Sequence, residues 1–74
     1  MPHVDIHYFA CPVSDVAKEA IAQTITAILS KELNCGEEVI SVALCPQVPE
    51  HWQQNVYQPL ITAQKDKLIK FPNY

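Results

Sequence analysis

With 74 residues the chain has room for one domain, 1–74, and a lone domain of that size buries only about 60% of the surface its unfolded form exposes. Nearly half of it, 49%, is hydrophobic, more than such a domain hides easily, so a homo-oligomer is the first expectation. A net charge of −3, with five basic residues against eight acidic ones, supplies no basic stripe for a phosphate backbone and excludes nucleic acid as a partner.

No apolar run approaches the roughly 18 residues of a membrane span, and the start lacks the basic, apolar and small-residue succession of a signal peptide. A cytoplasmic chain with no membrane partner is expected. Cys11, Cys35 and Cys45 are odd in number and irregularly spaced, which argues against a disulfide framework or a paired zinc motif and for reduced thiols acting as small apolar fillers.

The first ten residues read as a strand. Val4, Ile6 and Tyr8 fall on one face and His3, Asp5, His7 and Phe9 on the other, a period of two. His3 and His7 thus share a face with Asp5 between them, but polar residues on the outer face of a strand are the ordinary case, and no metal or cofactor is expected. Cys11-Pro12 ends the strand. Ser14 or Asp15 can cap an amphipathic helix predicted from about Asp15 to Leu33, with Ala17, Ile21, Ile25, Ile28 and Leu29 as its apolar positions.

Asn34-Cys35-Gly36 stops this helix, with Gly36, the only glycine, available for a left-handed conformation. Val39 to Cys45 is β-rich and alternating. Strand, helix, strand is a βαβ unit whose strands lie parallel through a right-handed crossover. Pro46 to Glu50 reads as a turn, Pro49 as the opening of a short helix through Tyr57, and Pro59 as the opening of another from Leu60 to about Ile69. The fold class is α/β (α+β): one β-α-β unit with short C-terminal helices and a sheet completed by a second subunit, because two strands alone leave an open edge and face.

Met1-Pro2 carries a chemical option of its own. If Met1 is removed, as a small second residue generally permits, the ring nitrogen of Pro2 becomes a free secondary amine, a base that no side chain supplies. The plainer role of Pro2 is a rigid entry to a strand.

Met1-Pro2-His3-Val4-Asp5-Ile6, Ile21 to Thr26 in the helix and Ile40-Ser41-Val42-Ala43-Leu44 in the second strand together resemble the tautomerase superfamily, in particular the oxalocrotonate tautomerase family. Pro49-Glu50-His51-Trp52, Val56-Tyr57-Gln58-Pro59 and Leu68 to Tyr74 are similar to the PptA-type tautomerase subgroup, so that the resemblance spans the whole chain. It implies an isomerase that interconverts keto and enol groups, with the amino-terminal proline as general base and therefore Pro2 as the catalytic residue once Met1 is gone. Such a base must be neutral to work. An α-amino group ordinarily titrates near ~8, and desolvation or a nearby cation disfavours its charged form.

The family's dicarboxylate-converting members hold their substrates with arginines at positions that fall here at about Pro12 and Ser41, and this chain has no arginine. Lysine cannot reproduce the planar bidentate fork, so a small enol or keto acid of arylpyruvate type is expected in place of a dicarboxylate. By the same resemblance Ser41 is a candidate hydrogen-bond donor to substrate, Trp52 a candidate aromatic wall and Phe9 a candidate backbone N–H donor to an oxyanion. His51, Tyr57 and the lysines read as structural or solvated, with Lys70 the one cation near the tail to watch. A dimer is the expected assembly, with a hexamer of three dimers as its alternative. A hydratase, dehalogenase or decarboxylase on the same proline, and a non-catalytic oligomeric binding protein that keeps Met1, are the rival functions.

Overall fold

The computed structural model describes residues 1–74 and contains β1 (His3–Phe9), α1 (Asp15–Leu33) and β2 (Ser41–Gln47), followed by short helical segments. β1 and β2 form a two-stranded parallel sheet in which His3 pairs with Ser41, Ile6 with Leu44 and Phe9 with Gln47. This is the β-α-β unit that the alternation and the helical spacing predict.

The predicted bounds of α1 agree with the structure. Ser14 sits in extended backbone at its start and accepts the Ala17 N–H through Oγ at 3.1 Å, which satisfies one of the orphan donors of the first turn. The other end corrects the expectation for Gly36. Asn34 takes the left-handed conformation (φ 54°, ψ 54°), while Gly36 is extended (φ −70°, ψ 149°). Asparagine tolerates that region because its short amide bonds locally, and the break is fastened by Cys35 N–H donating to the Ser30 carbonyl at 3.2 Å and Ser30 Oγ–H donating to the Cys35 carbonyl at 2.6 Å.

β2 begins two residues later than predicted. Glu37–Val39 form a 3₁₀ turn, and the strand then runs through Pro46 to Gln47. The hydrogen bonds at the ends of the ladder explain why proline is tolerated. Ser41 N–H donates to the Pro2 carbonyl at 3.2 Å and Ala10 N–H donates to the Gln47 carbonyl at 2.9 Å. In a parallel pair of this register the odd-numbered residues of β2 turn their backbone groups towards β1, and the even-numbered ones turn theirs to the outer edge. The N–H that Pro46 lacks belongs to that outer edge, where no ladder bond is lost.

The same alternation sorts the side chains. Val4 and Ile6 share a face with Val42 and Leu44, and α1 covers that face, Ile21 and Ala22 lining one crevice with Val42 and Leu44. Ala17, Ile21, Ile25 and Leu29 are half-buried, but Ile28, predicted among them, is 57% exposed. It falls outside the stripe that meets this narrow sheet. His3, Asp5, His7 and Phe9, with Ser41, Ala43, Cys45 and Gln47, occupy the opposite face, which no helix covers in the same way.

After β2, Pro49–His51 form a 3₁₀ turn, and Gln53–Thr62 form one continuous π-helix instead of two helices divided at Pro59. In an α-helix a proline ring collides with the carbonyl four residues back. The wider turn with five-residue bonds, as in Ala63 N–H donating to the Gln58 carbonyl at 3.0 Å, gives the ring room. Of the second predicted helix, Leu60 to Thr62 belong to this π-helix and Lys65–Lys67 form a separate 3₁₀ turn, and the tail folds back towards Trp52.

A single chain has almost no interior. Val56, at 4% exposure, is its one buried residue, and the Cα radius of gyration of 13.8 Å exceeds the roughly 11 Å of a globular chain of this length. Val16, Leu33, Ile69 and Phe71 are all exposed. The two-stranded sheet therefore implies completion by another subunit. No helix is long and apolar enough to cross a membrane.

Candidate active site

The residues singled out by sequence form two clusters at opposite ends of β1. At its start, Pro2 is half-buried and tied to Ser41 through the backbone bond between the Pro2 carbonyl and the Ser41 N–H. The Ser41 side chain lies on the uncovered face, with Oγ 2.6 Å from His3 Nδ1, and the other ring nitrogen of His3, Nε2, is 2.9 Å from Asp5 Oδ1. Sequence alone places His3 and Asp5 among the solvated polar residues. Their shared face is legible from the alternation, but the third member depends on the register of β2, which no sequence pattern fixes.

At the far end, Phe9 and Trp52 meet edge to face, with centroids 5.1 Å apart and planes at 78°, a favoured aromatic geometry. Trp52 Nε1–H donates to Tyr74 Oη at 3.2 Å, and Tyr57 Oη–H donates to the Tyr74 backbone oxygen at 3.2 Å while the two tyrosine rings stack at a tilt, 5.5 Å apart. Phe9, Pro49, Trp52, Gln53 and Tyr74 line a cavity of about 560 Å³, within the range of small-molecule pockets. Tyr57 and Tyr74 thus hold the aromatic wall in place. Tyr74 is the residue that sequence reasoning misses, since a tail gives no periodicity from which its docking could be read.

The ladder register gives the Phe9 backbone a direction. Even-numbered residues of β1 bond towards β2, so the N–H groups of His3, Asp5, His7 and Phe9 point to the free edge. An outward N–H at the end of a strand is a donor that a ligand or another strand can use. His7 is engaged on the face, its Nδ1 accepting from Gln47 Nε2 at 3.4 Å, and Asn55 Nδ2–H donates to Gln47 Oε1 at 3.4 Å. No three histidine, cysteine or acidic side chains are grouped as metal donors.

The two clusters do not meet within one chain. β1 is 7 residues long, and at about 3.3 Å per residue its ends lie roughly 20 Å apart. Pro2 and Ser41 stand at one end, Phe9 and Trp52 at the other.

No family model matches the chain. Curated relatives match it from end to end. It is 43% identical over 74 residues to Tautomerase PptA of Klebsiella pneumoniae (strain 342), 38% to that of Escherichia coli O9:H4 (strain HS) and 35% to that of Pectobacterium carotovorum subsp. carotovorum (strain PC1). In each case the match covers 100% of this chain and 97% of the relative. With identity of this order over the full length, on a β-α-β unit of the tautomerase kind, the chain belongs to the PptA-type subgroup of the tautomerase family and is an isomerase.

Proposed function

We propose that the chain is a keto–enol tautomerase that acts on a small enol or keto acid through the amine of Pro2, set free by loss of Met1, and that its site forms only between two copies. The observation that carries this reading is the separation of Pro2 and Ser41 from Phe9 and Trp52 along β1. The free edge of β1 carries a full set of unpaired N–H and C=O groups, whereas the outer edge of β2 is interrupted by Pro46. Two copies pairing antiparallel through β1 about a two-fold axis exchange their strand ends. Pro2 and Ser41 of one copy then adjoin Phe9, Trp52 and Tyr74 of the other, and the sheet becomes four-stranded.

In that composite site the neutral Pro2 nitrogen removes the proton from the enol hydroxyl. The O–H electron pair closes the carbonyl, the C=C pair moves to the neighbouring carbon, and the prolinium returns the proton there. The Phe9 N–H, at the last position of that edge and beyond the end of the partner strand, stays free to support the negative oxygen that develops between the two transfers. The groove around Trp52 is aromatic and contains no cationic side chain. That supports an aryl-bearing enol or keto acid over a dicarboxylate, for which charged bidentate donors are needed.

The test is intact mass of untagged protein, followed on the same sample by turnover of an arylpyruvate and by a Pro2→Ala control. Loss of one methionine, with turnover falling at least about 100-fold in the control, is expected. Retained Met1, or turnover indifferent to the substitution, overturns the mechanism.

A further inference from the structure

The cluster of Ser41, His3 and Asp5 has the composition of a nucleophilic triad, but it lacks the donors such chemistry needs, because the Ser41 N–H is already bonded to the Pro2 carbonyl. Its geometry fixes something else. A carboxylate only accepts, so the short contact from Asp5 Oδ1 to His3 Nε2 requires the proton of the neutral ring to sit on Nε2. Nδ1 is then an acceptor, and the only hydrogen on Ser41 Oγ, 2.6 Å away, must point at it. Both oxygen lone pairs of Ser41 are left facing outward.

We infer that His3 is a positioning residue that makes the Ser41 hydroxyl an acceptor towards substrate, so that the site beside Pro2 selects a ligand bearing an O–H donor over one bearing an oxygen without hydrogen. This rests on the reading that substrate lies between Pro2 and Ser41, and it reverses the donor role that sequence alone suggests for Ser41. Protonation of His3 places a hydrogen on Nδ1 as well, and Ser41 then turns its own hydrogen outward and favours a carboxylate or ketone. The titratable neighbours on this face are Asp5 and His7 of β1 and Cys45 of β2. His7 Nδ1 is held by Gln47, so Asp5 is the group that sets the tautomer.

Two measurements test the inference. Long-range ¹⁵N–¹H spectra of the histidine rings at a pH where His3 is neutral report its tautomer directly. They require no variant and no activity, and they are repeated on Pro2→Ala so that failure of the proline mechanism leaves the result readable. Titrations of 3-phenyllactate and its O-methyl ether, followed by NMR, then compare a hydroxyl with an oxygen that cannot donate. Expected are an Nε2–H tautomer in the wild type, a mixture of tautomers in Asp5→Asn, and a preference for phenyllactate of about three- to tenfold that disappears in Ser41→Ala. An Nδ1–H tautomer in the wild type, or a preference that survives Ser41→Ala, overturns it.

Discussion

The carbonyl of Pro2 accepts the backbone N–H of Ser41 at 3.2 Å, and this one bond fixes where the second strand begins relative to Pro2. The β1–β2 register is anchored by it, as are the pairing of His3 with Ser41 and the outward direction of the Phe9 N–H. A chain extended ahead of Pro2 keeps this bond, since it uses the carbonyl, but makes the nitrogen an amide. An uncleaved amino-terminal tag is therefore expected to lower turnover of an arylpyruvate at least about 100-fold with an unchanged circular dichroism spectrum. Comparable turnover before and after tag removal would contradict the assignment.

Folding should depend on protein concentration. Val56 is the only residue a single chain buries, so most apolar surface is covered on association, and for a dimer each tenfold rise in concentration adds about 1.4 kcal/mol to apparent stability. Urea denaturation at two concentrations tenfold apart is expected to give distinct midpoints. Coincident curves would show that the isolated chain is the stable unit.

Trp52→Ala removes the edge-to-face contact with Phe9 and the hydrogen bond to Tyr74 Oη together. For a half-buried aromatic the expected loss is about 2 kcal/mol. Since this is the only tryptophan, the loss is read from urea curves followed by circular dichroism at fixed protein concentration. Tyr74→Phe keeps the ring and loses only an exposed hydrogen bond, and its cost should stay below about 1 kcal/mol.

The turn after α1 offers a test of backbone strain at Asn34. In the left-handed region a β-branched side chain costs about 1–2 kcal/mol and glycine nothing. Asn34→Val should lower the urea midpoint accordingly and Asn34→Gly should leave it near the wild type. Equal behaviour of the two variants would mean that φ at this position is not positive in solution.

How far the sequence is legible depends on the range of the interactions involved. β1 and α1 are set by neighbours within a few residues: the alternation of Val4, Ile6 and Tyr8, the cap at Ser14, the four-residue spacing of Ala17, Ile21 and Ile25. Gly36 is the obvious left-handed candidate, yet Asn34, two residues earlier, serves as well, and local preference cannot separate them. Pro46 resembles the end of a strand because its missing N–H matters only if that group faces the partner, which depends on long-range register. Over 10 residues the wider period of five-residue hydrogen bonding is too short-lived to be told from that of an α-helix, so the π-helix through Pro59 reads as two ordinary helices. The candidate site divides in the same way. Pro2 is legible from its position, whereas the contact between His3 and Ser41 and the docking of Tyr74 on Trp52 join residues 38 and 22 positions apart.

The proline in β2 also bears on how large the assembly can grow. A sheet with two receptive edges adds strands without end and gives fibres, while one with a single receptive edge is satisfied by one neighbour. The proposed pairing through β1 would consume the receptive edge of each copy and leave a Pro46 at both outer margins. On that arrangement growth along the hydrogen-bonding direction would stop at two, and a larger particle would be built by stacking faces.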